Sequence, residues 1–421
     1  MSDAPDRPSS TQRWDIFCQV IDNLGDLGVC WRLAADLAHR GHSVRLWLDQ
    51  PDALHWMAPG LHPNVQVVHW RRDAQGGSAA AQAVEHDLGA DQTAARHKCS
   101  DPIGQPLELG DAVIAAFSCE LDQTTLSALG QRAKAGRPCA WYNLEYLSAE
   151  SFSERSHGKP APVLRGPALG TPRLAYYPGF TLATGGLQRE PGLLERQAAF
   201  DRCSWLARHG VQWRGQRLVS LFCYEPPMLP ELLAQLALGE PETIMLVCAG
   251  RGAKAVRTAL QGSALAQHVP DKAAIQSSLF LRLAKLTLHF LPALPLTGYD
   301  RLLWACDLNF VRGEDSLVRA IWAGRAFVWQ IYPQDDRAHH AKLIALLDRM
   351  LAPASLRAFT MRWNDIEDGA APDTVADHGL TGPQQLALWG AATLAWRQAL
   401  LAQPDLSSQL VEMVELTKGA G

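Results

Sequence analysis

The chain has 421 residues, of which 47% are hydrophobic and 19% are charged, so its composition is that of a globular protein of about two domains rather than a disordered one. A net charge of -4 gives no overall electrostatic attraction for nucleic acid, and no apolar run approaches the roughly 20 residues of a membrane span. Nine cysteines without a CxxC pair argue against a zinc site, and together with the lack of a signal peptide they predict a cytoplasmic protein.

The first half of the chain predicts a parallel sheet. Residues 1–13 are polar and are expected to be a disordered lead. A strand, a loop rich in glycine, asparagine and aspartate, a helix and a second strand then form a βαβ unit, which requires parallel strands. The strands are predicted at 14–20, 43–49, 64–70, 111–117 and 138–144, and the helices at 29–40 and 121–135.

Two segments interrupt this pattern. Residues 71–110 lack a clear period and are predicted to be a flexible insertion. Residues 145–186 are rich in proline and glycine and are predicted to be a long loop that faces a cleft. The N-terminal domain is therefore assigned to residues 14–186, followed by a linker at 187–215.

The second half of the chain repeats the alternation of strands and helices. A C-terminal domain is assigned to residues 216–375, and residues 376–421 are expected to be helices that pack back across both domains. Two successive α/β sets predict two Rossmann-like, doubly wound parallel-sheet domains that face each other across a cleft. The strands are predicted at 217–224, 243–249, 286–291 and 326–331, and the helices at 230–239, 337–350 and 386–403.

Residues 299–324 predict a helix end, a short buried strand and a second helix. Arg312 and Gly313 end the strand, and Glu314, Asp315 and Ser316 open the helix, with Asp315 or Ser316 as its N-cap. The free N–H groups and the dipole at such a helix start suit a phosphate. An ordinary capped helix accounts for the same residues, so this segment alone leaves both interpretations open.

The loop after the first strand carries several polar residues and glycines. It lies at the carboxyl edge of the predicted sheet, where ligands bind in open parallel sheets. Two carboxylates four residues apart can converge on one substrate, and one of them can act as a general base. A turn and a helix cap are the structural alternative. The residues concerned are Asp22, Asn23, Gly25, Asp26 and Gly28.

Aromatic residues follow the strands of the second domain. Phe222 and Tyr224 end its first strand, and Phe290 and Tyr299 flank a proline-rich loop that suits a nucleobase. Tyr332 precedes a polar helix start that can bind sugar hydroxyls. Ordinary packing, or a solvated helix start, remains the alternative for these residues. A metal site at His339 and His340 is rejected, because adjacent helical residues point in different directions.

Four sequence strings occur in order along the chain: IDNLGDLGVCWRLAADLA, WYNLEYLSAES, SLFCYE and CDLNFVRGEDSLVRAIWAGRAFVWQIYPQDDRAH. Together they resemble the family of protein-arginine rhamnosyltransferases of translation elongation factor P, over most of the chain from Trp14. The resemblance implies an inverting, metal-independent glycosyltransferase of the GT-B fold without a cofactor. It also implies dTDP-β-L-rhamnose as the donor and one arginine of elongation factor P as the acceptor. The family pattern has a glutamine after the FLP strand end, where this chain has Ala293.

The resemblance also suggests roles for individual residues. Asp26 matches the general base and Asp22 the second acid of the same loop. Together with the candidates named above, the expected donor site comprises Asn23, Gly25, Phe222, Tyr224, Phe290, Tyr299, Arg312, Gly313, Glu314, Asp315, Ser316 and Tyr332. The alternatives are a GT-B enzyme for another sugar nucleotide or acceptor, and a non-catalytic module that binds a translation factor.

Overall fold

The computed structural model describes residues 11–21, 24–70, 82–83, 107–261, 263–268, 274–366 and 382–419. Asp22, Asn23 and nearly all of the predicted insertion at 71–110 lie outside these ranges. None of the helices within them combines the length and the apolar character that a membrane span requires.

The N-terminal domain is built on a seven-stranded sheet in the order β4-β3-β2-β1-β5-β6-β7. All neighbouring strands are parallel except the short β4, which runs antiparallel to β3. The strands are β1 (Arg13–Cys18), β2 (Ser43–Leu48), β3 (Val65–His69), β4 (Gln82–Ala83), β5 (Ala112–Ala116), β6 (Ala140–Leu144) and β7 (Leu174–Tyr176). The helices are α1 (Gly25–His39), α2 (Leu54–Met57), α3 (Gln123–Lys134) and α4 (Ser151–Ser156).

The C-terminal domain is built on a six-stranded sheet in the order β10-β11-β9-β8-β12-β13, with only β10 antiparallel to its neighbour. The strands are β8 (Arg217–Leu221), β9 (Thr243–Val247), β10 (Phe280–Leu283), β11 (Leu286–Phe290), β12 (Leu308–Arg312) and β13 (Ala326–Gln330). The helices from the linker onward are α5 (Leu193–Ala198), α6 (Arg202–Arg208), α7 (Leu229–Leu238), α8 (Arg251–Gln261), α9 (Ala274–Ser277), α10 (Leu296–Ala305), α11 (Gly313–Ala323), α12 (Ala338–Arg349), α13 (Ala354–Trp363), α14 (Pro383–Leu401) and α15 (Leu406–Gly419).

Helices cover both faces of each sheet, which explains why the central strands read as continuous apolar runs. All five residues of β12 and of β13 are buried, for example. The last two helices belong to different cores. Trp389 and Trp396 of α14 pack in the core of the C-terminal domain. Leu410 and Val414 of α15 pack in the core of the N-terminal domain.

Two Rossmann-like domains facing across a cleft form the GT-B fold, which confirms the predicted fold class. Helix α1 begins at Gly25, four residues before its predicted start. The first turn therefore includes Asp26, and the N-cap is Leu24, so the alternative in which Asp26 caps this helix is wrong. Strand β10 and the helices α8 and α13 are elements that the sequence pattern did not predict. Helix α15 lies in the segment 376–421 that was predicted to be helical.

Candidate functional site

The central strand of each sheet determines where a ligand can bind. Strand β1 lies between β2 and β5, and β8 lies between β9 and β12. The chain winds in opposite directions from such a central strand, which leaves a crevice beyond its carboxyl end. In this protein the two crevices face each other, because α1, which follows β1, packs against α11, which follows β12. The ligand site is therefore expected between the starts of α1 and α11.

A cavity of about 350 Å³ occupies this position. Its volume is typical of small-molecule sites, and its wall is largely apolar with a few polar groups, as such sites usually are. The N-terminal domain contributes Leu24, Gly25, Trp56 and Met57. The C-terminal domain contributes Phe222, Cys248, Ala249, Gly250, Pro292, Ala293, Leu294, Leu296, Tyr299, Arg312, Asp315 and Ser316.

Arg312 is a buried cation in the wall of this cavity. It is the last residue of β12 and is only 8% exposed. Its guanidinium carbon lies 4.5 Å from the centre of the Phe222 ring and 4.4 Å from that of Tyr224. Among the described residues, no carboxylate lies within ion-pair distance of Arg312. Because a buried charge is costly without a partner, an anionic ligand would stabilise this arrangement.

The start of helix α11 lies beside Arg312. The helix begins at Gly313, so Asp315 and Ser316 lie inside the first turn, and the prediction that one of them is the N-cap is wrong. The N-cap is Arg312, and no side chain caps the helix. The Ser316 hydroxyl instead donates a hydrogen bond back to the Arg312 carbonyl. The first N–H groups of α11 thus remain available for an anion.

The two acids of the first turn make separate contacts. Glu314 accepts hydrogen bonds from the Leu147 N–H at 2.8 Å and from Lys342 Nζ at 2.6 Å, and it does not line the cavity. Asp315 lines the cavity and lies 2.9 Å from Arg32 Nε of α1. Lys342 and Arg32 therefore offset both negative charges, which reduces their repulsion of a bound anion.

Aromatic residues form two layers around Arg312. Phe222 and Tyr299 line the cavity and meet edge to face, with ring centres 5.4 Å apart. Tyr224 also lies against the Arg312 guanidinium, and it packs edge to face against Tyr332 at 5.5 Å. Tyr224, Tyr332 and the buried Phe290 do not line the cavity. The Phe222 and Tyr299 rings are therefore placed to stack on a ligand.

Asp26 lies in the first turn of α1, directly after Gly25 in the cavity wall. The residue is 4% exposed, and its Oδ2 accepts a hydrogen bond from the Ile21 N–H at 2.9 Å. This bond holds the end of the loop after β1 against the helix start. Asp22 and Asn23 belong to the same loop but lie outside the described residues. In the described part of the chain, no group of three or more histidine, cysteine, aspartate or glutamate residues is placed to hold a metal ion.

The sequence analysis missed several residues of the cavity wall. Trp56 and Met57 follow β2, and Cys248–Gly250 follow β9. All of them lie beyond carboxyl ends of parallel strands, so the rule that located the loop after β1 also applies to them. Their apolar side chains gave no chemical signal in the sequence.

A chain of buried ion pairs crosses between the domains behind this wall. Arg32 of α1 binds Asp300 of α10 at 3.0 Å, and Asp300 also binds Arg319 of α11 at 2.8 Å. Arg319 in turn binds Glu190 of the linker at 2.7 Å. Burial opposes ionisation of Glu190, but the charge and hydrogen bonds of Arg319, together with the charge of Arg32, outweigh burial and lower the pKa of Glu190 to about 2.

We expect this contact to make the stability of the fold sensitive to acid. An unfolded glutamate has a pKa near 4.5, so the stabilisation is complete above that pH and is lost as the pH falls toward 2. Glu190→Gln should lower the free energy of unfolding at pH 7 by roughly 3 kcal/mol, and the difference from wild type should shrink at lower pH. Urea unfolding at several pH values measures this. Glu195→Gln, at an exposed position in the next helix, serves as the control, and an equal loss there would contradict the prediction.

Comparisons with known proteins give relatives over nearly the whole chain. The profile of the family described as EarP, elongation-factor P (EF-P) rhamnosyltransferase, matches residues 14–415. A protein-arginine rhamnosyltransferase of Pseudomonas aeruginosa is 38% identical over an alignment of 420 positions, which covers 95% of this chain and 98% of that protein. One from Pseudomonas putida is 39% identical over an alignment of 412 positions, which covers 94% of this chain and 97% of that protein.

A solved structure has a similar fold over the whole length. It is described as the structural basis for EarP-mediated arginine glycosylation of translation elongation factor EF-P. It is 27% identical in sequence, has a TM-score of 0.57, and covers 96% of this chain and 99% of its own. The match in length means that both domains of the fold are shared.

Proposed function

The chain belongs to the EarP family of elongation-factor P (EF-P) rhamnosyltransferases, and from this premise we propose that it transfers L-rhamnose from dTDP-β-L-rhamnose to one arginine of EF-P. The proposed reaction inverts the anomeric carbon and uses neither a metal ion nor a cofactor. It takes place in the cytoplasm, where a translation factor acts. No contact with nucleic acid or with a membrane is part of it.

One observation carries the proposal: the buried Arg312 has no carboxylate partner among the described residues, and it lies beside the uncapped start of α11 in a cavity walled by both domains. A nucleoside diphosphate supplies the missing negative charge. Phe222 and Tyr299 offer ring faces to its base or sugar, and the backbone of residues 292–294 offers hydrogen bonds to the base. Since Ala293 has no polar side chain, these backbone groups must do most of the base recognition.

The leaving group is the part of the reaction that this site stabilises. As the bond between the sugar and the diphosphate breaks, negative charge grows on the diphosphate. Arg312 and the helix start of α11 are fixed in place before the reaction, so they stabilise that charge without reorganisation. This arrangement does for the diphosphate what a divalent cation does in metal-dependent transferases.

The acceptor nitrogen must be oriented and must lose a proton. An arginine guanidinium stays protonated up to a pKa of about 13.8, and its nitrogen lone pairs are delocalised. In the proposed mechanism Asp22 binds the guanidinium and aims one nitrogen at the anomeric carbon. Asp26 takes the proton that this nitrogen loses as the new C–N bond forms. Attack from the face opposite the diphosphate inverts the configuration.

The decisive experiment is the intact mass of EF-P after incubation with the purified protein and dTDP-β-L-rhamnose. A gain of one deoxyhexose, located on an arginine by fragmentation, is the expected result. Unchanged EF-P in the presence of active donor would refute the proposal. A non-catalytic module would bind EF-P without nucleotide, and would still bind it after replacement of Asp22 and Asp26.

The nucleotide preference separates the proposal from a GT-B enzyme that uses another donor. We expect dTDP to raise the melting temperature of the protein more than UDP or GDP at equal concentration, because binding to the folded state alone stabilises it. The dTDP effect should be much smaller in Arg312→Ala. A larger shift with UDP or GDP would point to a different sugar nucleotide.

A further inference from the structure

We propose that Arg32 is a positioning residue for the transfer reaction. In this proposal its guanidinium, anchored on Asp300, holds the Asp315 carboxylate in the cavity wall and fixes the start of α1, with Asp26, against the donor site. The inference rests on the proposed function and adds to it a residue that does not touch the substrates.

The contacts of Arg32 all lead to the opposite domain. The residue lies on α1 of the N-terminal domain and is 8% exposed. Its Nη1 and Nη2 lie 3.2 and 3.0 Å from the two carboxylate oxygens of Asp300, a bidentate pair, and Nη2 also donates to the Leu296 carbonyl at 3.3 Å. A planar guanidinium held at three points has little freedom to rotate.

The remaining donor of Arg32 faces Asp315. Its Nε lies 2.9 Å from Asp315 Oδ1, close enough for a strong charge contact, although it is not aligned as a hydrogen bond. One turn earlier on α1, Gly28 packs against the same carboxylate. A Cβ atom at Gly28 would lie only 3.2 Å from Asp315 Oδ2. Helices α1 and α11 therefore approach each other closely, and Asp315 is held between them.

The charges around Asp315 depend on Arg32. Arg32 faces it from α1, Asp300 from α10, Arg319 from its own helix and Glu190 from the linker. Burial raises the pKa of Asp315, and the nearby Asp300 and Glu190 add to this effect, while Arg32 and Arg319 lower it. Since Arg319 is already bound to Asp300 and Glu190, Arg32 is the cation most directly available to keep Asp315 ionised.

The position of Arg32 along α1 gives this contact its effect on the reaction. Asp26 precedes Arg32 by six residues, which is about 9 Å along a rigid helix. Anchoring Arg32 therefore also anchors Gly25, in the cavity wall, and Asp26 beside it. A displacement of about 1 Å between reacting groups can reduce a rate by a factor of about 100.

The test compares Arg32→Met with wild type in steady-state transfer to EF-P over a range of pH. We expect kcat to fall about 100-fold, with the KM for dTDP-β-L-rhamnose changed much less. The acidic limb of the kcat profile should move to higher pH, because Asp315 then takes up a proton more readily. Arg32→Lys, which keeps the charge but not the bidentate geometry, should restore part of kcat, and Asp300→Asn should reproduce the loss.

Arg40→Met is the matched control. Arg40, the C-cap of α1, lies about two turns beyond Arg32 and pairs with Asp36 and Asp405, away from the cavity. It should keep both the wild-type kcat and the wild-type pH profile, even if it melts at a lower temperature. A wild-type kcat and pH profile in both Arg32→Met and Asp300→Asn would overturn the inference, and so would an equal loss of kcat in Arg40→Met. A wild-type protein that transfers no rhamnose would instead refute the proposed function.

Discussion

Replacement of Asp26 is expected to abolish rhamnosyl transfer while dTDP-β-L-rhamnose still binds. General bases contribute about 100-fold to 10,000-fold to a rate, so Asp26→Ala should lose at least two orders of magnitude in kcat. Asp26→Asn should lose nearly as much, although an amide oxygen can still accept the hydrogen bond from the Ile21 N–H. Single-turnover transfer measures the chemical step, and calorimetry with dTDP measures the donor site.

A nearby acid provides the control for this experiment. Asp49 follows β2 at the same sheet edge, and its Oδ1 accepts a hydrogen bond from the Val20 N–H at 2.9 Å. Asp49→Asn therefore removes a negative charge and perturbs the same loop, but it should leave transfer close to wild type. Substantial turnover by Asp26→Asn would show that another group takes the proton.

Arg312→Ala is expected to act on the donor rather than on the acceptor. A hydrogen bond to a charged group contributes roughly 1.5–3 kcal/mol, so loss of the guanidinium should weaken dTDP binding about 10-fold to 100-fold. Arg312→Lys should recover only part of this, because an ammonium group does not stack on the Phe222 and Tyr224 rings as a planar guanidinium does. Titration calorimetry with dTDP gives the affinity of each variant.

Arg251→Ala is a suitable comparison, because Arg251 also lies over the Tyr224 ring, at 4.8 Å. It differs in that it is half exposed and paired with Glu225. Its loss should change dTDP binding little. Equal weakening by the Arg251 and Arg312 variants would assign the effect to the packing of Tyr224 rather than to the charge on the diphosphate.

Much of this fold could be predicted from local sequence patterns, because the apolar pattern of each helix and strand matches the way it packs in the core. Strand β12 is buried along its whole length since helices cover both faces of its sheet, and the helix after it has a regular apolar stripe. The start of α1 was predicted four residues late, because Gly25 and Gly28 resemble a loop in sequence.

Contacts between the domains could not be predicted from the sequence. Arg32 and Asp300 are separated by 268 positions, and Glu314 and Leu147 by 167. No local period or spacing links such residues, so the partners of the acids in the first turn of α11 had to come from the structure. The same applies to Trp56, whose place in the cavity wall depends on how the two domains face each other.

The placement of α15 has a mechanical consequence for the entry of a protein acceptor. The chain passes from the N-terminal to the C-terminal domain around residues 187–192. It returns between α14 and α15, where Arg40 of the N-terminal domain forms an ion pair with Asp405. The two chain crossings lie side by side and together form a hinge between the domains. Two such crossings oppose sliding and twisting of one domain over the other. We therefore expect rotation about the line that joins them to be the easiest relative motion of the domains. A docking partner would then approach from the free edge opposite that line.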